Sequence, residues 1–182
     1  MIIFLGVTGS GKSAQGQLLA DEYGYAWIST GDILRVLTTG DRRREMLAGK
    51  LIDNDEMINI VSKIFGIVNP KQQMILDGFP RTIAQADWLI DQVKAGDFEL
   101  TAIIYFEVSQ PVVRDRLIKR GRSDDTEDSI NRRFDEFNNL TMPIIKHFQE
   151  AGYRVDKIDA SGDPQTIHQS VVKTLNQVAG IT

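Results

Sequence analysis

A glycine-rich segment near the start of the chain has the residue types and spacing that bind phosphate. Residues 6–13 read Gly-Val-Thr-Gly-Ser-Gly-Lys-Ser and directly follow a short apolar run. This matches G-x-x-x-x-G-K-[ST], the P-loop, in the strand–loop–helix setting that the motif requires. Glycines let backbone N–H groups turn toward a phosphate, Lys12 adds a mobile positive charge, and Ser13 offers a hydroxyl near Mg²⁺. The segment predicts a site for a nucleoside triphosphate but does not indicate the reaction.

An aspartate at the end of another apolar run is the expected partner of this loop. Asp77 follows Met74–Leu76 and begins the segment Asp-Gly-Phe-Pro-Arg. A carboxylate in this position suits Mg²⁺, directly or through water, as in other P-loop enzymes. Gly78 permits a close backbone approach, and the rigid Phe-Pro pair that follows directs Arg81 toward a fixed target. The alternative without a metal is an aspartate that only caps a helix or ends a strand.

Arginines are concentrated in one stretch of an acidic chain. The formal net charge is −4, yet Arg114, Arg116, Arg120, Arg122, Arg132 and Arg133 lie close together in the sequence. A planar, permanently charged guanidinium suits phosphate, and phosphoryl transfer depends on positioning and charge neutralisation. The alternative is a solvated helix face paired with nearby acidic residues, and it is favoured for Arg114 and Arg132. The cluster therefore indicates a small polyanionic ligand.

The segments that must position these residues alternate between strand and helix. Apolar runs predict strands at residues 2–5, 26–29, 74–76, 102–108 and 153–158. Helices are predicted at residues 13–22, 32–39, 41–48, 53–65, 83–94, 112–119, 127–152 and 164–178, the seventh with a bend or break at Pro143. The alternation predicts an α/β, three-layer fold with a central parallel sheet of five strands. Ligands bind at the carboxyl ends of such strands, where the P-loop and Asp77 both fall.

Length and composition narrow the classes of protein. The chain has 182 residues, of which 42% are hydrophobic and 25% charged, values ordinary for one soluble globular domain. No apolar stretch approaches the ~20 residues of a membrane helix, and the first apolar run is too short for a signal peptide. The absence of cysteine excludes disulfides and thiolate zinc sites, so we expect a cytoplasmic protein. The acidic balance argues against binding of a nucleic acid polymer. His147 and His168 lack metal-like partners and are expected at the surface.

Taken together, the motifs resemble those of the adenylate kinases, of the nucleoside monophosphate (NMP) kinase family. Besides the P-loop, the matching segments in family order are Ile28–Arg35, Ala48–Ile52, Asp77–Thr82 with Gln85, and Gly121–Asp125 with Arg133. The resemblance spans nearly the whole chain. It implies reversible phosphoryl transfer, ATP + AMP = 2 ADP, with Mg²⁺ and in a monomer.

The resemblance also implies which residues contact each nucleotide. Those implied for ATP are Gly9, Ser10, Gly11, Lys12, Ser13, Ala14, Arg116, Arg120 and Gly162. Those implied for AMP are Thr30, Arg35, Lys50, Leu51, Ile52, Gly78, Phe79, Pro80, Arg81, Gln85, Arg122 and Arg133. Catalytic roles are implied for Lys12, Arg81, Arg116, Arg120, Arg122 and Arg133, with Mg²⁺ at Ser13 and Asp77, directly or through water. Gln85 would read the adenine edge of AMP, and the backbone at Gly162 would contact the adenine of ATP.

The same resemblance divides the chain into segments. Residues 1–29, 61–120 and 127–182 would form the core, residues 30–60 a helical NMP-binding segment, and residues 121–126 a short lid. A lid of this length cannot house the four-ligand zinc site of some long-lid members, so no structural zinc is expected. Lid closure is still expected, because the arginines flank the loop. Ser13-Ala14 stands where adenylate kinases usually carry Gly-Thr, so the phosphate contact of the threonine hydroxyl is lost.

Two other functions remain open at this point. Uridylate/cytidylate kinases share the fold but usually have Ala at the position of Thr30 and Asn at that of Thr82, so both residues favour adenylate. A nucleotide-binding regulatory module without catalysis is favoured by Ala14 and the short lid. Lys12, Asp77 and the arginines argue against that module.

Overall fold

A parallel sheet lies at the centre of the protein, which a computed structural model describes over residues 1–68 and 74–179. Within these residues the sheet has five strands: β1 (Ile2–Leu5), β2 (Ala26–Ser29), β3 (Met74–Asp77), β4 (Ala102–Glu107) and β5 (Val155–Asp159). Their order is β2-β3-β1-β4-β5, and every pairing is parallel. The predicted fold class is thereby confirmed. Because the chain turns to opposite sides of β1 to reach β3 and β4, a ligand crevice is expected at the carboxyl end of β1.

Helices surround this sheet on both faces. They are α1 (Lys12–Tyr23), α2 (Thr30–Leu37), α3 (Gly40–Leu47), α4 (Asn54–Ile67), α5 (Ile83–Ala95), α6 (Gln110–Arg120), α7 (Glu127–Glu136), α8 (Met142–Glu150) and α9 (Pro164–Ala179). Helices α2 to α4 form the excursion between β2 and β3 that the resemblance implies. Ser29 begins α2 earlier than predicted, because its hydroxyl accepts the N–H of Asp32 and caps the helix at Thr30.

Alternating strand residues build a separate hydrophobic core on each face of the sheet. In β1, Ile3 and Leu5 pack in the core that contains α4, α5 and α8, while Ile2 and Phe4 pack in the core that contains α1 and α9. All of β1 is buried, as is usual for a central strand of a parallel sheet covered by helices. The rigid centre holds the strand ends, and therefore the loops that follow them, in fixed positions.

The long helix predicted over residues 127–152 is interrupted, but not at Pro143. A π-helical turn, Phe137–Thr141, separates α7 from α8, and the N–H of Met142 donates to the carbonyl of Phe137, five residues earlier. Pro143 lies in the first turn of α8, where its missing N–H is tolerated. The irregularity therefore precedes the proline, and the chain stays helical through the π-helical turn into α8. The π-helical turn brings the hydroxyl of Thr141 to 3.1 Å from the carbonyl of Arg81.

The described part of the chain holds no helix with both the length and the apolarity needed to cross a membrane. The predicted core ranges 61–120 and 127–182 include residues 69–73 and 180–182, which lie outside the described residues.

Candidate active site

A cleft of about 350 Å³ lies beyond the carboxyl ends of β1 and β3. The predicted residues that line it are Gly9, Gly11, Lys12, Ser13, Ala14, Thr30, Arg35, Lys50, Leu51, Ile52, Asp77, Gly78, Pro80, Arg81, Gln85, Arg116, Arg120, Arg122 and Arg133. Segments far apart in the sequence thus meet at one site. They include parts of α6 and α7, whose arginines reach the cleft although they do not lie at the end of a strand. The cleft joins the P-loop to the segment between β3 and α5.

Three predicted residues lie outside this lining. Ser10 is fully buried beneath the loop, with its hydroxyl 3.4 Å from the Nζ of Lys12. Phe79 is also fully buried, and its ring packs edge-on against Trp88 with centroids 5.9 Å apart. Gly162 lies in the turn before α9, where its carbonyl accepts a hydrogen bond from Arg116 at 2.8 Å. The side chain of Phe79 belongs to the core, so this residue can meet a ligand only through its backbone.

The P-loop places Lys12 at the first position of α1, with its ammonium turned back over the loop. The Nζ of Lys12 donates to the carbonyls of Gly6 at 2.7 Å and Val7 at 2.9 Å. Gly9 has a φ of +89°, and a Cβ there would lie 2.9 Å from the side chain of Val113, so only glycine fits. The open N-terminus of α1 and the ammonium therefore face the same part of the cleft, which suits a polyphosphate.

Burial lowers the pKa of the Lys12 ammonium to about 8, with Asp77 opposing the shift and Arg81 and Arg120 adding to it. Bound phosphate would restore the pKa, because a nearby negative charge favours the protonated form. ATP binding is therefore expected to take up protons increasingly as the pH rises above 8. Above that pH the affinity for ATP should fall by up to about tenfold per pH unit.

Calorimetry of ATP binding in buffers of different ionisation enthalpy measures this uptake. We expect little uptake at pH 7 and a value approaching about one proton per ATP at pH 9. Lys12→Met is the matched control, because it keeps the aliphatic stem and removes the titrating group. Equal proton uptake by the wild type and Lys12→Met at pH 9 would contradict the assignment.

Ser13 and Asp77 form an oxygen pair next to the lysine. The hydroxyl of Ser13 donates to Oδ2 of Asp77 at 2.7 Å, and Asp77 is only 4% exposed. β3 pairs with β1 so that Phe4 lies beside Asp77, which fixes the carboxylate next to the start of the P-loop. Hydroxyl and carboxylate oxygens are hard donors of the kind that Mg²⁺ accepts, so these residues fit the implied metal.

The segment after β3 brings Asp77 into contact with the start of α2. The hydroxyl of Thr30, which is 1% exposed, donates to the carbonyl of Asp77 at 3.1 Å. Gly78 has a φ of +87°, and a Cβ there would lie 2.5 Å from Oγ1 of Thr30 and 2.9 Å from Arg81. Glycine is therefore required for this close approach of α2 to the segment.

Arg81 lines the cleft from the segment between β3 and α5. Its Nε donates to the carbonyl of Gly78 at 2.8 Å. Burial lowers the pKa of Arg81, while the charges of Asp77 and Glu136 oppose the shift. Arginine nevertheless stays protonated in proteins, so the cleft contains a permanent positive charge at this point.

Gln85 lines the cleft but already has partners within the protein. Its Oε1 accepts the N–H of Arg81 at 2.8 Å, and its Nε2 donates to Oδ1 of Asn54 at 3.1 Å. The hydroxyl of Thr82 donates to the same Asn54 oxygen at 2.7 Å. Asn54 was not predicted as a site residue, and no motif in the sequence singles it out.

The arginines near the lid are paired with two lid aspartates. Arg133 contacts Asp124 at 2.6 Å and Asp125 at 3.1 Å, and Arg120 contacts Asp125 at 2.6 Å. Arg35, from α2, contacts Asp124 at 3.2 Å and so joins α2 to the loop between α6 and α7. The side chains of the two aspartates are only 4% and 1% exposed. Both aspartates belong to the segment Gly121–Asp125 that matches the family, but the sequence did not predict the burial of their side chains.

The charges around Asp124 decide its ionisation. Burial acts to raise the pKa of Asp124, but hydrogen bonds and charge from Arg133 and Arg35 outweigh burial and hold the pKa below its usual range. Glu136 also lines the cleft, but its pKa moves in the opposite direction from that of Asp124. Burial raises the pKa of Glu136, although a hydrogen bond from the backbone of Leu51 and the charge of Arg81 act to lower it.

The remaining arginines occupy different positions. Arg116 holds the turn before α9, donating to the carbonyls of Ala160 at 2.7 Å, Ser161 at 3.2 Å and Gly162 at 2.8 Å. Arg122 lines the cleft from the lid. Arg114 pairs instead with Glu127 and Asn131 at the exposed surface, as favoured for it above.

Comparison with known proteins decides the family. A family model described as Adenylate kinase matches residues 4–153. The chain belongs to the adenylate kinase family. It is 36% identical to the adenylate kinase of Corynebacterium urealyticum over 97% of this chain and 99% of that protein. It is 34% identical to that of Corynebacterium aurimucosum over 96% and 98%. It is 31% identical to that of Prochlorococcus marinus (strain MIT 9301) over 93% and 95%.

Membership of this family makes the protein a nucleoside monophosphate kinase, an ATP:AMP phosphotransferase. The identification from sequence motifs is thereby confirmed. Neither the uridylate/cytidylate kinase nor the regulatory module is favoured.

Proposed function

We propose that this cleft transfers the γ-phosphoryl group of ATP to AMP, with ATP on the P-loop side and AMP on the side of α2 and residues 78–85. One observation carries the proposal. Asp77 receives the hydroxyl of Ser13 on its carboxylate at 2.7 Å and the hydroxyl of Thr30 on its carbonyl at 3.1 Å. The proposed donor and acceptor sites therefore meet at a single residue, as in-line transfer between two nucleotides requires.

On the donor side, the P-loop holds the triphosphate of ATP. Backbone N–H groups of residues 9–14 and the N-terminus of α1 bind phosphate oxygens, and Lys12 leaves the loop carbonyls to bind the β- and γ-phosphates. Ser13 and Asp77 hold Mg²⁺, directly or through water. When bound, the metal neutralises charge on these phosphates. Arg116 and Arg120 bind the phosphates from α6, and the turn at Gly162 contacts the adenine.

On the acceptor side, Arg81 and Arg35 bind the phosphate of AMP. The backbone of residues 50–52 and of Gly78–Pro80 borders the nucleoside, and Gln85 exchanges its bond with Asn54 for one with the adenine edge. Thr30 lies beside both Gly78 and the end of β3, which supports its assignment to the same nucleotide.

Transfer itself needs no covalent intermediate with the protein. An oxygen of the AMP phosphate forms a bond to the γ-phosphorus of ATP, the bond to the β–γ bridging oxygen breaks, and that oxygen stays with ADP. Negative charge spreads over the moving group, and Lys12, Arg122 and Arg133 neutralise it. These residues act by charge and position, since permanent guanidinium forks match phosphate oxygens.

We also propose the division into a core, an NMP-binding segment (30–60) and a lid (121–126) that closes over the nucleotides. Its support is that Arg133 and Ser129, from α7 next to the lid, donate to the carbonyl of Leu47 in the NMP-binding segment at 3.3 and 3.1 Å. Contacts of this kind can exchange as the two segments move. We further propose a cytoplasmic monomer.

Turnover with different acceptors tests the function. With Mg²⁺-ATP and each nucleoside monophosphate in turn, we expect kcat/KM for AMP to exceed that for CMP or UMP by at least about 100-fold, because hydrogen bonds to a base edge discriminate strongly. ADP formation measures the rates. A preference for CMP or UMP would move the assignment to the uridylate/cytidylate kinases. Nucleotide binding without ADP formation would instead support a regulatory module.

A further inference from the structure

A buried histidine connects the P-loop helix to the turn before α9. His168 was expected at the surface, yet it is only 7% exposed. We propose that Gln15, His168 and Glu22 form a positioning network that holds this turn in place for ATP and so sets the affinity for ATP without affecting that for AMP. This inference rests on the proposed contact between the backbone at Gly162 and the adenine of ATP.

The network runs from the surface into the structure beneath the P-loop. Oε2 of Glu22 lies 2.7 Å from Nε2 of His168, and Nδ1 of His168 lies 3.0 Å from Oε1 of Gln15. Nε2 of Gln15 in turn donates to the carbonyl of Pro164 at 2.9 Å. Gln15 is 1% exposed, while the side chain of Glu22 is 55% exposed. The inner members are therefore shielded from water, and the outer one is not.

The partners fix the direction of each hydrogen bond. A carbonyl oxygen only accepts, so the amide group of Gln15 must point toward Pro164 and leave its oxygen facing His168. The carboxylate of Glu22 likewise accepts from the other ring nitrogen. Both ring nitrogens of His168 thus face acceptor oxygens, one of Gln15 and one of Glu22. The ring thereby holds the oxygen of Gln15 toward itself and the amide NH2 toward Pro164.

Gln15 links the two parts of the proposed ATP site. It lies in α1, two residues after Ser13, and its amide reaches Pro164, two residues after Gly162. Arg116 holds the other end of the same turn through the carbonyls of Ala160 and Gly162. The turn is therefore fixed between Arg116 on one side and Gln15 on the other. Loss of the Gln15 contact would free the side nearer α9.

The geometry predicts an effect on one nucleotide only. Gln15, His168 and Glu22 do not belong to the lining of the cleft among the described residues, so none of them touches AMP or the transferring group. The residues proposed for AMP lie on α2, on residues 50–52 and on residues 78–85. The network contacts none of these, and its influence reaches the cleft through the turn.

The test compares binding of each nucleotide to wild-type protein and to His168→Leu by calorimetry. Leucine has a similar size but makes neither hydrogen bond, and we expect the Kd for ATP to rise about 3- to 10-fold, in keeping with the net contribution of one hydrogen bond. The Kd for AMP should change less than about twofold. Hydrogen exchange of residues 160–168 in the ligand-free protein should become faster in the variant, because Gln15 loses the partner that orients it and holds the turn less firmly. The thermal midpoint reports folding.

Two further variants sharpen the experiment. His147→Leu is the matched control, because His147 also pairs with a carboxylate, Asp87, at 2.6 Å, but between α8 and α5. It should leave both affinities and the exchange of residues 160–168 unchanged. Glu22→Ala changes an exposed side chain and tests the network even where His168→Leu does not fold. It should also raise the Kd for ATP, but by less than His168→Leu does.

The outcomes separate this inference from the proposed function. An unchanged Kd for ATP in a folded variant, or an equal rise for ATP and AMP, would overturn the positioning role. Neither result depends on turnover, so the kinase reaction would stand. Absence of ADP formation by wild-type protein would overturn the proposed function, while a selective loss of ATP affinity would still support the network.

Discussion

Replacing Arg81 with alanine is expected to lower kcat/KM for AMP by on the order of 10³-fold, the magnitude associated with an arginine that stabilises a transferring phosphoryl group. The guanidinium lies in the cleft, and its Nε is held by the carbonyl of Gly78 at 2.8 Å. The backbone of Arg81 is held as well, by Gln85 on its N–H and Thr141 on its carbonyl. The fall in kcat/KM should therefore come from loss of the guanidinium, which supplies both a positive charge and a positioning contact, while the backbone of residue 81 stays in place. Steady-state kinetics with varied AMP measures it.

The matched control for this variant is Arg114→Ala. Arg114 belongs to the same chemical class but pairs with Glu127 at the surface, with its side chain 39% exposed. Its removal should leave kcat/KM within about twofold, as expected for an exposed ion pair. ATP affinity should change little in either variant. Full activity of Arg81→Ala would show that the phosphate of AMP does not bind where we assign it.

Replacing Asp77 with asparagine is expected to lower kcat by about 100-fold, the order found when groups that hold a catalytic metal are altered. Asparagine has the same shape, and its Oδ1 can still accept the hydroxyl of Ser13 that now donates at 2.7 Å. The variant loses the negative charge, and one of its two acceptor oxygens becomes an NH2 donor, which cannot bind a metal ion. The Mg²⁺ concentration for half-maximal activity should rise, and a Mg²⁺ titration of ATP binding provides a readout without turnover.

Asp53→Asn is the control for the charge change. Asp53 caps α4 through the N–H groups of Asp55 and Glu56, and asparagine caps helices equally well. This variant should leave the dependence on Mg²⁺ unchanged. If Asp77→Asn kept both the wild-type rate and the wild-type response to Mg²⁺, Asp77 would have no role in holding the metal.

The elements of the core follow from local sequence signals. The apolar runs that end at Leu5 and Leu76 predicted strands, and the glycines after them marked the turns correctly. Those signals suffice because a strand buried on both faces is apolar throughout, and because glycine is required where the backbone has a positive φ. Lys12, Ser13 and Asp77 were assigned from motifs at strand ends, whereas the other residues proposed for the site came from the resemblance to the adenylate kinases.

Partners that lie far apart in the sequence could not be predicted. Asp124 and Asp125 belong to a segment that matches the family, but their burial could not be predicted, because only the folded chain brings Arg35 from α2 against this loop beyond α6. His168 read as a surface residue because nothing in α9 indicates that Gln15, more than 150 residues earlier, faces it. The π-helical turn before α8 was missed for another reason: Pro143 shows that a helix changes nearby, but not on which side.

The paired aspartates of the lid also bear on how products leave. Asp124 and Asp125 contact guanidinium groups that we assign to phosphate, so nucleotide and carboxylate compete for the same donors. When ADP departs, the aspartates can replace its phosphates as partners of the arginines. An unpaired buried cation, which would be costly, is thereby avoided. Binding is therefore an exchange of anions, which moderates the affinity for the product. We expect this exchange in the proposed lid to favour release of the product over its tight retention.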